Sequence, residues 1–218
     1  PTGGIEAEIL EVQGLDEVKR LAQAVKGKII FYNRPMDPGL PDAFKAYGQA
    51  VDQRTAGASV AAGFGAAAVL VRSMTTLPDD PYPHTGGVFY SDGAPKIPAA
   101  ALSTRDATRL SRMLSKEPNL RLRLELSARS RGSVQARNVI AEIRGRDLPE
   151  EYVVVGGHLD SWDLGPGAHD DGAGVMHSIE ALRALKALGL RPKRTIRLVL
   201  FMSEEVGGVG GKEYALQA

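Results

Sequence analysis

The sequence predicts an α/β protein in two parts, and three observations carry that prediction. Strand-like apolar runs alternate with segments of helical period along the chain. The tightest alternation, over residues 138–202, reads as two apolar strands joined through a helix, the pattern of parallel strands with a crossover. A polar, arginine-bearing run at 127–135 separates that block from everything before it and reads as a solvated linker. We therefore expect two domains, 1–130 and 131–218.

In the first domain, residues 5–12 alternate like a strand, and 15–25 repeat Leu15, Val18, Leu21, Ala22 and Val25 at helical spacing. Gly27 breaks that helix before a short apolar strand at 28–32. An alanine-rich stretch from Asp42 towards Ala62 predicts a helix, and 67–71 a buried strand. The proline-rich residues 75–98 read as an irregular surface excursion. Residues 104–114 predict a helix capped by Ser103 or Thr104. Over 120–126, Leu alternates with Arg or Glu, as in a strand with one wet face.

In the second domain, 138–143 reads as a strand, 145–150 as a polar turn and 152–155 as a continuous apolar strand. Val175, Ile179, Leu182, Leu185 and Leu188 share one helical face, and Gly189 stands where that helix should stop. Residues 195–202 form the next strand, and 212–218 read as the opening of a further helix. With Pro1 at the start and no stop signal after that opening, the 218 residues are expected to be a piece of a longer chain.

Composition narrows the function classes. The 27 Lys and Arg balance the 26 Asp and Glu, so charge offers no hint of a nucleic-acid partner. The absence of cysteine excludes thiolate metal sites, disulfides and thiol catalysis. No apolar run approaches the roughly 18 residues that span a bilayer. The glycines at 207–211 before Lys212 fail the phosphate-loop pattern, because Val206 and Glu213 stand where Gly and Ser or Thr are required. The Gly-x-Ser-x-Gly elbow of serine hydrolases is also missing.

Three polar clusters follow the strands of the second domain: Gly156-Gly157-His158-Leu159-Asp160, His169-Asp170-Asp171-Gly172 just before the helix, and Ser203-Glu204-Glu205. Sites in parallel α/β sheets form at the carboxyl ends of strands. Crowded carboxylates repel unless cations offset them, and imidazole with carboxylate suits zinc. Each cluster alone is weak: an Asp-Asp-Gly before a helix is usually a cap, and paired glutamates are usually solvated.

The segment YVVVGGHLDSWDLGPGAHDDGAG, with RPKRTIRLVLFMSEEVGGVGG, resembles the co-catalytic zinc exopeptidases of the bacterial leucyl aminopeptidase type. PHTG at 83–86, KIPAA at 96–100 and SRM at 111–113 resemble a protease-associated domain of that family, so the likeness covers essentially the whole chain. The resemblance implies a protease-associated α/β domain followed by the first part of a peptidase sheet. It implies two zinc ions, with His158 a ligand of one, Asp170 the bridge and Glu205 a ligand of the other. Glu204 matches the general base, and Asp160 the acid that orients the histidine. Asp171 is read as loop support. His169 falls where other members carry methionine or aspartate, and is not counted as a ligand; His84 is read as loop packing.

Two further ligands, an aspartate and a histidine, are implied beyond Glu205, whereas 206–218 hold no histidine and only Glu213 as an acid. The 218 residues alone are therefore expected to be inactive. The resemblance also implies short peptides or dipeptides as substrates, a homodimer, and a secreted, periplasmic or lysosomal setting. The rival reading is a non-catalytic peptide-binding module with a vestigial peptidase half. The joint presence of His158, Asp160, Asp170, Glu204 and Glu205 speaks against it.

Overall fold

The computed structural model describes all residues except 1, 2, 85, 130, 131, 163, 164 and 218. The chain divides into two compact units, Pro1–Ser130 and Arg131–Ala218.

The first unit is built on a five-stranded sheet. Its elements are β1 (Ile5–Val12), α1 (Leu15–Leu21) running into a 3₁₀ turn (Ala22–Val25), β2 (Ile29–Tyr32), α2 (Ala43–Gly48), α3 (Asp52–Thr55), α4 (Gly57–Gly63), β3 (Ala68–Arg72), β4 (Ala99–Leu102), α5 (Thr104–Leu114) and β5 (Arg121–Leu124). The strand order is β4-β3-β2-β1-β5; all neighbours are parallel except the antiparallel pair β1 and β5. Because successive side chains leave a strand on opposite faces, β2 feeds two cores at once. Ile30 and Tyr32 join Val12, Val18, Val25 and Val69 on one face, while Ile29 and Phe31 join Ile9, Leu70, Leu110 and Leu114 on the other.

Most strand and helix expectations hold here, with two differences. The stretch 42–62 is three short helices rather than one. Asp42 caps the first by accepting from the amides of Phe44 and Lys45. The last begins at Gly57, whose carbonyl accepts the buried Tyr32 hydroxyl at 3.0 Å, and any Cβ at Gly57 would strike the Tyr32 ring. The second difference is β4, Ala99–Leu102, which no periodicity announces. Alanine is a weak strand former, and this segment is a strand because its backbone pairs with β3 in the register Val69↔Ala99. Ser103, not Thr104, caps α5, accepting from the Asp106 amide.

The second unit contains β6 (Val139–Ile143), β7 (Leu148–His158), α6 (Gly172–Ala187), β8 (Arg194–Phe201) and α7 (Val209–Gln217). The strand order is β6-β8-β7, with β7 parallel to β8 and β6 antiparallel to it. The expected parallel unit is thus present, flanked by α6. Leu182 of α6 packs with Leu198 and Leu200 of β8, supported by Val155, Val175, Ile179 and Ile196. The strand read as 152–155 is longer than its apolar run, because pairing with β8 continues through Gly157↔Leu200 and His158↔Phe201. His158 is therefore the last residue of a strand rather than part of the following loop, and the polar turn read over 145–150 already gives way to strand at Leu148. Among the described residues, no helix is long and apolar enough to cross a membrane.

Candidate metal centre

The three clusters meet at the carboxyl ends of β7 and β8. His158 closes β7, with a side chain only 11% exposed. Asp170 lies in the turn before α6, joined to Asp171 by a cis peptide bond. Glu204 and Glu205 follow β8 after Ser203. One ligand atom each from His158, Asp170 and Glu205 lies within 4.8 Å of the other two. Among the described residues this is the group of three or more that could hold a metal ion, and it does not include His169.

The imidazole is gripped from both sides. Nδ1 lies 2.9 Å from the Asp160 carbonyl oxygen, and Nε2 lies 2.9 Å from Asp170 Oδ1, with Glu204 Oε2 at 3.9 Å. A carbonyl can only accept, so Nδ1 carries a proton and Nε2 is the nitrogen presented to the cluster. Burial alone would lower the His158 pKa, but the bonds to the Asp160 carbonyl and Asp170, with the charges of Glu204 and Asp170, raise it overall. Asp160 thus orients the ring through its main chain. Its carboxylate stands 3.7 Å from Nδ1, beyond hydrogen-bond distance, and instead accepts the backbone amides of Glu204 at 3.0 Å and Glu205 at 3.1 Å.

Glu205 is the most telling member. Its Oε1 is buried without a hydrogen-bond partner. Burial, and then the charges of Asp170, Glu204 and Asp160, raise its pKa against the lowering influence of His158. A buried carboxylate oxygen left unpaired is costly, and a cation at the cluster would satisfy it. The donor set of one imidazole nitrogen and carboxylate oxygens is the chemistry that zinc takes. The residues fit such an ion.

Asp171 serves the frame, as expected. Its carboxylate caps α6 through the Gly174 amide at 3.1 Å and ties the helix to β7 through the His158 amide at 3.0 Å. The carboxylate needs glycine on both sides: a Cβ at Gly157 or at Gly174 would collide with it. Sequence reasoning missed two supports. Asn138 accepts the Met202 amide and donates to the Gly210 carbonyl, both at 2.9 Å, binding the end of β8 to the start of α7. Ser203 adopts φ 65°, a left-handed conformation unusual for a residue with a side chain. Neither has a sequence signal, since Asn and Ser are common in turns. His84 belongs to the first unit, where its ring meets Asp80 at 2.9 Å and its amide donates to Ser73, a loop-packing arrangement.

A strand-end cluster of imidazole and carboxylates on a parallel α/β unit is accompanied by a direct family match: residues 138–218 match the model of peptidase family M28. The chain as a whole is close to carboxypeptidase Q. It is 46% identical to carboxypeptidase Q of Mus musculus over 214 residues, 98% of this chain and 44% of that protein. A crystal structure of a peptidase M28 precursor from Shewanella amazonensis is 39% identical, with a TM-score of 0.92 over 100% of this chain and 49% of that one. A zinc aminopeptidase from Bacillus subtilis superposes with a TM-score of 0.64 at 23% identity, covering 99% of this chain and 46% of that one, which speaks for the fold alone. The chain spans less than half the length of the carboxypeptidase Q relatives it matches.

Proposed function

We propose that the protein containing these residues is a zinc-dependent exopeptidase that hydrolyses terminal bonds of short peptides, dipeptides included. The observation that carries the proposal is the convergence of His158, Asp170 and Glu205, with the unpartnered Oε1 of Glu205 among them. In this reading His158 would hold one zinc ion and Glu205 a second, with Asp170 a ligand common to both. Bound there, zinc would supply Lewis acidity, lowering the pKa of a water and polarising the peptide carbonyl. Glu204, exposed and 3.9 Å from the His158 ring, takes the proton of the attacking water and returns it to the leaving amine. Asp160 holds the imidazole in the tautomer that directs Nε2 to the cluster.

The reading assigns hydrolysis to the protein that also supplies the further aspartate and histidine the family likeness implies, and not to these 218 residues alone. The first unit is assigned as a protease-associated, lid-like module on its PHTG, KIPAA and SRM segments. Secreted, periplasmic or lysosomal residence and a homodimer belong to the same proposal and rest on the same likeness. The test is dipeptide hydrolysis by the full-length protein, before and after zinc is stripped with a chelator. Activity that disappears on stripping and returns with zinc is expected, and hydrolysis indifferent to the chelator would overturn the assignment.

A further inference from the structure

We propose that Asp160 acts as a positioning residue for the glutamate pair: its carboxylate clamps the backbone amides of Glu204 and Glu205, which the left-handed turn at Ser203 presents to it. This rests on the roles proposed above for Glu204 and Glu205. Three geometric facts carry it. The two carboxylate oxygens divide the work, Oδ1 accepting from the Glu204 amide and Oδ2 from the Glu205 amide. The same carboxylate stands too far from the His158 ring to bond it, and the Asp160 carbonyl does that job at 2.9 Å. Finally, Ser203 takes φ 65° immediately before the two amides.

The physical logic is that of an anion-binding nest. Consecutive amides following a residue of unusual backbone handedness point to one side and together hold a negative group. Bonds from amides to an ionised carboxylate are stronger than neutral ones. The turn is closed from beyond by the Gly208 amide, which donates to the carbonyls of Ser203 at 2.8 Å and Glu204 at 3.0 Å. With both ends pinned, both glutamate side chains start from a fixed backbone, and both carboxylates reach the His158 ring's surroundings. One carboxylate, 44 residues upstream of Glu204, thereby sets where the metal ligand Glu205 and the base Glu204 stand. A left-handed serine costs conformational energy that glycine would not, so the turn persists because the clamp and the Gly208 bonds hold it.

The experiment compares the full-length protein with Asp160→Asn, Ser203→Val and Ser203→Gly. It reads hydrogen–deuterium exchange over residues 203–208, the His158 tautomer by ¹⁵N imidazole NMR, and kcat and KM separately for a dipeptide. Asp160→Asn sets an amide donor against one of the two backbone donors. It should speed exchange at Glu204 and Glu205 on the order of tenfold or more, as loss of a bond to a charged acceptor requires. It should lower kcat while KM stays within about twofold, and leave the His158 tautomer unchanged. Ser203→Val should speed the same amides, since a β-branched residue resists left-handed φ, whereas Ser203→Gly should keep them protected. Protected amides in Asp160→Asn together with an altered His158 tautomer would overturn the proposal. If Asp160→Asn does not fold, equal exchange in the valine and glycine variants overturns it. Failure of the wild-type protein to hydrolyse any dipeptide would instead count against the exopeptidase reading, while the exchange comparison still decides the clamp.

Discussion

His158 Nε2 lies 2.9 Å from Asp170 Oδ1, although one residue ends a strand and the other, twelve positions on, sits in the turn before a helix. Two of the three ligand candidates therefore already touch, and the contact is one a cation would take over from a shared proton. Metal binding at such a site releases protons. In the full-length protein Asp170→Ala removes the group proposed to bridge both ions, and zinc content should fall to near zero by atomic absorption. A variant that retains its full zinc complement would show that Asp170 is not the bridge.

Glu204 differs from its neighbour in exposure: Glu205 has a buried, unpaired oxygen, whereas the Glu204 side chain is 56% exposed. Glu204→Gln should keep the zinc and lose turnover by a factor on the order of 10²–10⁴, the usual worth of a positioned general base. Steady-state kinetics beside metal analysis separates the two effects. Undiminished hydrolysis would refute the assignment.

The carboxylate of Asp171 occupies the space where a Gly157 side chain would go. Gly157→Ala must therefore push that carboxylate away from the His158 amide or bend β7. Overpacking of this kind costs about 1–3 kcal/mol, and here it also displaces the residue that carries the imidazole. We expect a lower urea midpoint and weaker zinc affinity together. A variant of normal stability and affinity would show that the strand end has slack to spare.

Tyr32 in the first unit gives a pH signature independent of the metal site. Burial, and to a lesser degree the charge of Asp52, raise its pKa far above the ordinary tyrosine value, and its hydroxyl donates to the Gly57 carbonyl. A folded-state pKa above the unfolded one contributes stability that is fully present below about pH 10 and is lost as pH rises beyond it. Tyr32→Phe removes the hydroxyl's bond to the Gly57 carbonyl and should cost about 0.5–1.5 kcal/mol at neutral pH. The gap between the two proteins should narrow above about pH 10, because phenylalanine has no proton to lose. Denaturant unfolding from neutral to alkaline pH checks this, and a gap that widens would contradict it.

Much of the molecule was legible in its residues. The period of 3.6 through Val175, Ile179 and Leu182, the stop at Gly189 and the apolar run of β8 defined a parallel unit, because periodicity and backbone punctuation are local properties. The identities of His158, Asp160, Asp170, Glu204 and Glu205 likewise named a chemistry. Tertiary structure decided what local rules do not reach. It made alanines 99–101 a strand by pairing them with β3, and it set Gly57 against the Tyr32 ring at the start of the last of the three helices within 42–62. It carried β7 through His158, and it sent the Asp160 carboxylate to the glutamate amides while its carbonyl took the imidazole. Residue types and their spacing determine which groups are available and which elements carry them. The partner each group takes depends on backbone pairing and close approach between segments distant in sequence, and that exists only once the chain has folded.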